Sequence, residues 1–222
     1  MKKSLTILTP ILLAISVVFN FFQLSTTKPS KGYQVLEVQD GDSFVITKSQ
    51  KIRLLSVDAP QLDLCNGQEA KKKLEELLNG KTVTLEEIVA DKLGRIVALV
   101  YVDDVLINSQ MAQAGMVKYD SVFSSEKETI VKAEKYAKDN KLGIFSPKCL
   151  QTENLDEPQC NIKGNISRDD EGIYSFPGCS GYSGTHIDKY LGDQWFCSEK
   201  EAQKAGFRRS QNCYELKYQK PE

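Results

Sequence analysis

The order of short apolar-polar alternations and helical periods between Tyr33 and Asn140 constrains this chain most. Tyr33–Val38 alternates like a half-buried strand, and Ser43–Thr47 repeats the pattern after a turn on Asp40-Gly41-Asp42. Ile52–Val57 reads as a third strand, ended by Pro60, which cannot donate to a ladder. Residues 68–78 (QEAKKKLEELL) switch to a helical period, with Ala70, Leu74, Leu77 and Leu78 on one side and Asn79-Gly80 as the stop. Val83–Ile88 and Ile96–Val102 read as two more strands. Leu106–Ala114 is a short helix stopped by Gly115, and Glu126–Asn140 a longer one with Ser124 or Ser125 as N-cap. Five short strands with a helix between the third and fourth predict an α+β fold, a five-stranded OB-type β-barrel with three helices.

The flanks differ in character. Lys2 and Lys3 precede an apolar run from Leu5 to Leu24, about the length that spans a bilayer. The run ends in Phe21-Phe22-Gln23-Leu24 without an Ala-x-Ala site. Residues 1–30 are therefore expected to be an uncleaved signal anchor and linker, with a cleaved signal peptide as the alternative. Lysines before the run favour domains outside the membrane. The barrel is assigned to 31–149, a polar linker to 150–159, and a small domain rich in Gly, Cys and aromatics to 160–222. The six cysteines, Cys65, Cys149, Cys160, Cys179, Cys197 and Cys213, suit disulfides in an extracytoplasmic setting, membrane-anchored or secreted in a bacterial cell envelope. None forms a C-x-x-C pair.

The charge pattern narrows the chemistry. Formal net charge is -1, so no global basic field attracts nucleic acid, and any polyanion must be held by local Arg and Lys. His186 is the sole histidine, which argues against His-based triads and His-rich metal sites and reads best as a surface or turn residue. Asp40-Gly41-Asp42-Ser43, Arg53, Asp58-Ala59-Pro60-Gln61 and Asp91-Lys92-Leu93-Gly94-Arg95 place carboxylates and arginines beside strand-like sequence, a set suited to metal-assisted attack on a phosphodiester.

The stretches VQDGDSF, IRLLSVDAP, GQEA, DKLGRIVALVYV and AEKYAKDNKLGIFS occur in order and spacing that resemble the thermonuclease, or staphylococcal-nuclease-like, family. The resemblance implies the same OB barrel with three helices, and calcium-dependent cleavage of DNA or RNA. It implies Asp42 and Asp58 as carboxylate ligands of Ca2+, the carbonyl of Ala59 as a third oxygen ligand, and Asp40 as an acid behind them. Arg53 and Arg95 match the catalytic arginines, which grip phosphate oxygens and stabilise charge on phosphorus. Lys92 is a candidate phosphate contact, with a solvated loop lysine as the alternative. Cysteines placed like Cys65 and Cys149 pair in related extracellular members, which would tie the loop after Gln61 to the end of the domain.

The chain also departs from the family. Gln61 stands where the family carries the Glu assigned to activate water, and a neutral amide can orient water but cannot take its proton. Asp63 could act as a displaced base, though an ordinary exposed acid is the simpler reading. Ala59 replaces a hydroxyl residue. Ser121, Phe123 and Leu93 stand near positions of nucleotide-contacting tyrosines. Two functions compete: an attenuated extracytoplasmic nuclease, and a catalytically inactive OB-fold protein binding nucleic acid or protein partners. Oligomeric state is not legible.

Residues 160–213, through CNIKGNIS, GIYSFPGC and GDQWFCSEKEAQKAGFRRSQNC, resemble a small module sometimes called a sunset domain. So small a unit needs staples. Two disulfides, Cys160–Cys197 with Cys179–Cys213, are the expected arrangement, and a single zinc site the alternative. Trp195, Phe196 and Phe207 are expected to form its core, and Ser198 to open a short helix ended at Gly206.

Overall fold

The computed structural model describes residues 32–219 apart from 93 and 168. The membrane segment expected at 5–24 and the substitution at Leu93 lie outside the described residues. No helix among the described residues is long and apolar enough to cross a membrane.

Five strands form the barrel: β1 (Tyr33–Val38), β2 (Ser43–Ile46), β3 (Gln50–Leu54), β4 (Thr82–Ala90) and β5 (Ile96–Val102). They run in the order β3-β2-β1-β4-β5, and β3 then pairs with β5 in parallel through Ile52↔Ile96, Arg53↔Val97 and Leu54↔Ala98, which closes the sheet. Alternation puts Phe44, Ile46, Ile52 and Leu54 inside and leaves Arg53 on the outer face. Helix α1 (Gly67–Leu78) turns Ala70, Leu74 and Leu78 into this core, and α2 (Ile107–Gln113) adds Ile107 and Met111. Asn108 of α2 is fully buried. Its Oδ1 accepts the Val100 N–H at 3.0 Å, and its Nδ2 donates to the carbonyls of Leu55 (2.8 Å) and Ala98 (3.4 Å).

Two local expectations are corrected. The third strand does not run through to Val57: it ends at Leu54, and Ser56 adopts a φ of +62° before Val57–Asp58 pairs with Lys118–Tyr119. The bend is held by Leu55 N–H to the Ala98 carbonyl (2.8 Å) and Asp120 N–H to the Ser56 carbonyl (2.9 Å). Helix α3 (Lys127–Asp139) has no side-chain N-cap, and Glu126 occupies the cap position. The Ser125 N–H is taken instead by the Glu87 carboxylate at 3.0 and 3.2 Å, and the buried Ser124 hydroxyl has no partner among the described residues.

The C-terminal module has four short strands, β6 (Ile162–Ile166), β7 (Gly172–Ser175), β8 (Gln194–Phe196) and β9 (Arg208–Arg209), in the order β8-β6-β7-β9. Helix α4 (Glu199–Lys204) opens as expected, with Ser198 Oγ accepting the Glu201 N–H at 3.2 Å, and Gly206 at a φ of +89° follows its end. Ile162, Tyr174, Phe176, Phe196 and Phe207 make the core. Trp195 is corrected out of it. Its neighbour Phe196 takes the inward position of β8, so Trp195 faces the other way and donates Nε1–H to Gln151 Oε1 at 2.8 Å.

Three disulfides join Cys65–Cys149, Cys160–Cys197 and Cys179–Cys213, the expected pairing, so the zinc alternative lacks its thiolates. Leu150–Gln151, in the stretch read as a linker, pairs with Ile187–Asp188, and a small apolar cluster of Ala137, Ile144, Phe145 and Tyr190 packs with Cys65 and Leu142.

Candidate active site

The turn after β1, the outer face of β3 and the bend that follows it converge on one side of the barrel. Register places Ser43 opposite Arg53. The Asp42 carbonyl accepts the Leu54 N–H at 2.8 Å, so the turn is anchored to β3. Asp42 is 2% exposed. Its Oδ1 accepts the Ser43 hydroxyl at 2.7 Å and Arg53 Nη1, and its Oδ2 accepts the Ala59 N–H at 2.8 Å. Arg53 Nη2 donates to Asp58 Oδ1, so one guanidinium bridges both carboxylates. Asp40 Oδ1 accepts the Asp42 N–H at 3.1 Å. The bend at Ser56 swings Asp58 and Ala59 toward Asp42; a straight strand would have carried them past it.

Burial pushes the Asp42 carboxyl up to about 6, against the pull of the Arg53 charge and the Ala59 N–H. Burial also disfavours the Arg53 charge, but Asp42 and Asp58 outweigh it and hold the guanidinium above its ordinary value.

Arg95 comes from the turn between β4 and β5. Its main-chain N–H and its Nε both donate to the Asp91 carboxylate, at 2.8 and 2.6 Å, while Gly94 N–H closes the turn on the Asp91 carbonyl at 2.9 Å. The Arg95 Nη nitrogens make no hydrogen bond among the described residues. Gln61 sits on the loop leading to α1, where its carbonyl accepts the Leu64 N–H at 3.0 Å. That loop lies so close to Gly67 that a Cβ there would fall 1.9 Å from the Gln61 oxygen. The Cys65–Cys149 disulfide pins the same loop.

These groups line an open pocket of about 560 Å³ that contains Asp40, Asp42, Arg53, Asp58, Ala59, Gln61, Asp63 and Arg95. Lys92 is not among the lining residues. Neither are Ser121 and Phe123, although Phe123 is 86% exposed. Four carboxylates face two guanidiniums, so an incoming phosphodiester meets a net negative wall. The donors are hard oxygens, two of them on one strongly buried carboxylate, and they fit a divalent cation that would neutralise this wall.

Three contributors were given no role by sequence reasoning. Ser43 supports Asp42 and lay inside the quoted motif. Asp91 orients Arg95, and its spacing four residues ahead was the available signal. Gly41 has no room for a side chain, since a Cβ would lie 2.6 Å from that of Ala70 and 2.7 Å from that of Ala59. That packing joins three motifs distant in sequence and could not be read from any one of them.

Residues 51–147 match the family model described as Staphylococcal nuclease homologue, so this segment is a staphylococcal-nuclease-like domain. Over 115 residues, 52% of this chain, it is 30% identical to a "Probable staphylococcal-like nuclease CAN1" of Oryza sativa subsp. japonica, covering 34% of that protein. An "Uncharacterized endonuclease" of Haemophilus influenzae is 34% identical over 110 residues, covering 47% of this chain and 62% of that protein. A protein of the same description from Escherichia coli is 36% identical over 86 residues, 37% of this chain and 56% of its own. The matches thus span between a third and under two thirds of these relatives' own lengths.

Proposed function

We propose that this chain is an extracytoplasmic nuclease that hydrolyses phosphodiester bonds of DNA or RNA with Ca2+. The observation that carries the reading is the bridged set Asp42–Arg53–Asp58, with the Ala59 N–H on Asp42, sharing one pocket with Arg95 and Gln61. Asp42, Asp58 and the Ala59 carbonyl would hold the ion, and when bound it supplies charge neutralisation and a more acidic water. Arg53 and Arg95 clamp the phosphate oxygens and stabilise the charge that builds on phosphorus. Asp91 keeps Arg95 at the pocket. Gln61 orients the attacking water through its amide but cannot accept its proton, which passes to solvent, so turnover is slow. The named nucleases and endonucleases among the relatives support the reaction class. The three disulfides support an oxidising location.

One observation favours a second reading. With Gln61 in place of a carboxylate, the same pocket could bind a phosphodiester without cutting it. Cleavage of single-stranded DNA by the purified chain, with Ca2+ and with chelator, separates the two. The nuclease reading expects Ca2+-dependent cleavage that Arg53→Ala reduces by about 10²-fold or more. Intact Ca2+ binding with no cleavage at high enzyme concentration would overturn it in favour of a binding protein.

A further inference from the structure

The candidate active site carries more negative than positive charge, and the whole chain has a formal net charge of -1. Neither explains how a polyanionic strand would be gripped beyond the reacting phosphate. A second concavity of about 560 Å³ lies where α3 and the loop after it meet the C-terminal module. Its polar lining has the opposite balance: Lys118, Lys138 and Lys141 with His186, against one carboxylate, Asp188. We propose that this groove holds the phosphodiester backbone of the single strand whose reacting phosphate occupies the candidate active site, an inference that rests on the nuclease reading of that site.

Three observations support it. First, the groove adjoins the site: Lys118 is directly paired with Asp58 across the two-residue strands, and Asp58 lines the active-site pocket. Directly opposed residues lie about 5 Å apart, so a strand leaving Asp58 meets Lys118 next. Second, the cations are positioned. Lys118 Nζ lies 5.9 Å from the Tyr190 ring centroid and Lys138 Nζ 5.2 Å from that of Phe145. Lys138 is balanced by Glu134 at 2.5 Å, whereas Lys118 and Lys141 form no ion pair among the described residues. Burial, with Asp193 nearby, pushes the Asp188 carboxyl up against the pull of Lys118 and His186. Third, the walls are fixed to each other by the Ile187↔Gln151 pairing and by Lys189 N–H to the Cys149 carbonyl at 2.8 Å.

The test is binding of fluorescent oligonucleotides to the full chain in chelator, where cleavage plays no part, followed by anisotropy between about 50 and 200 mM salt. A long single strand is compared with a dinucleotide. Lys118→Ala and Lys141→Ala should each reduce the slope of log affinity against log salt by about 0.7 for the long strand and leave dinucleotide binding unchanged. The Lys118→Arg/Lys141→Arg variant, which keeps the charge, should retain the slope. An unchanged slope in the double alanine variant overturns the proposal. So does binding lost only to vesicles of phosphatidylglycerol, which would make the groove a lipid-headgroup site. A chain that shows the slope changes yet never cleaves with Ca2+ would sink the nuclease reading while leaving the groove as a strand-binding surface.

Discussion

Arg53 donates to Asp42 and Asp58 at once, and both the stability and the chemistry of the pocket turn on that double contact. Asp42 is nearly sealed from solvent, and its other oxygen is held by a main-chain N–H. Removing the guanidinium would leave a buried carboxylate without its counter-charge, a change that costs several kcal/mol unless the group protonates. Gln61 poses the complementary question. Its main chain is clamped against Gly67 and the residue lines the pocket, so an isosteric carboxylate placed there needs no rearrangement of the loop. Gln61→Glu is expected to raise kcat on single-stranded DNA by about 10²–10⁴-fold with little change in Ca2+ affinity. A variant that binds Ca2+ yet gains no rate would show that a missing base is not what limits this site. At this scale the sequence was informative because each candidate lies in a short local motif. Asp91 was missed because its partner, the Arg95 side chain, folds back only once the turn between β4 and β5 has formed.

Among the elements, α2 does work that its apolar pattern does not reveal. Asn108 is the one polar residue it buries completely, and it satisfies groups on β5 and on the chain just after β3. It therefore holds the barrel closed next to the bend that delivers Asp58. Asn108→Ala would orphan a buried N–H and a buried carbonyl, and is expected to cost about 3 kcal/mol. Urea unfolding should show this as a lower midpoint at unchanged m-value; an unchanged midpoint would mean that water replaces the side chain. The elements themselves were legible, because alternation and helical period follow from the local chain. Their ends were less so. The third strand stops where a tertiary contact from Ala98 bends it, and α3 starts where Glu87, distant in sequence, has already taken the Ser125 N–H.

For the whole molecule, the Cys65–Cys149 disulfide spans a sequence separation of 84 and ties the Gln61 loop to the entry of the C-terminal module. Chain entropy credits such a closure with about 4 kcal/mol, less any loss from residual structure in the unfolded chain. The Cys65→Ser/Cys149→Ser variant should unfold at lower urea by about 2–4 kcal/mol, with catalysis impaired through the loosened loop. Equal midpoints for the two proteins would assign the loop's order to Gly67 and α1 alone. For the barrel, the sequence by itself determined the order of strands and helices, the inward and outward faces of each, and the residue types available for phosphate chemistry, because all of these follow from local periodicity and side-chain chemistry. Only the tertiary structure decided which carboxylates share Arg53, that Lys92 stays away from the pocket while Asp63 lines it, and that lysines from the barrel meet the C-terminal module in a groove beside Asp58. Those outcomes depend on barrel closure, on one bend at Ser56 and on strand pairing across long separations, and no local pattern in the chain encodes a distance between segments that meet only after folding.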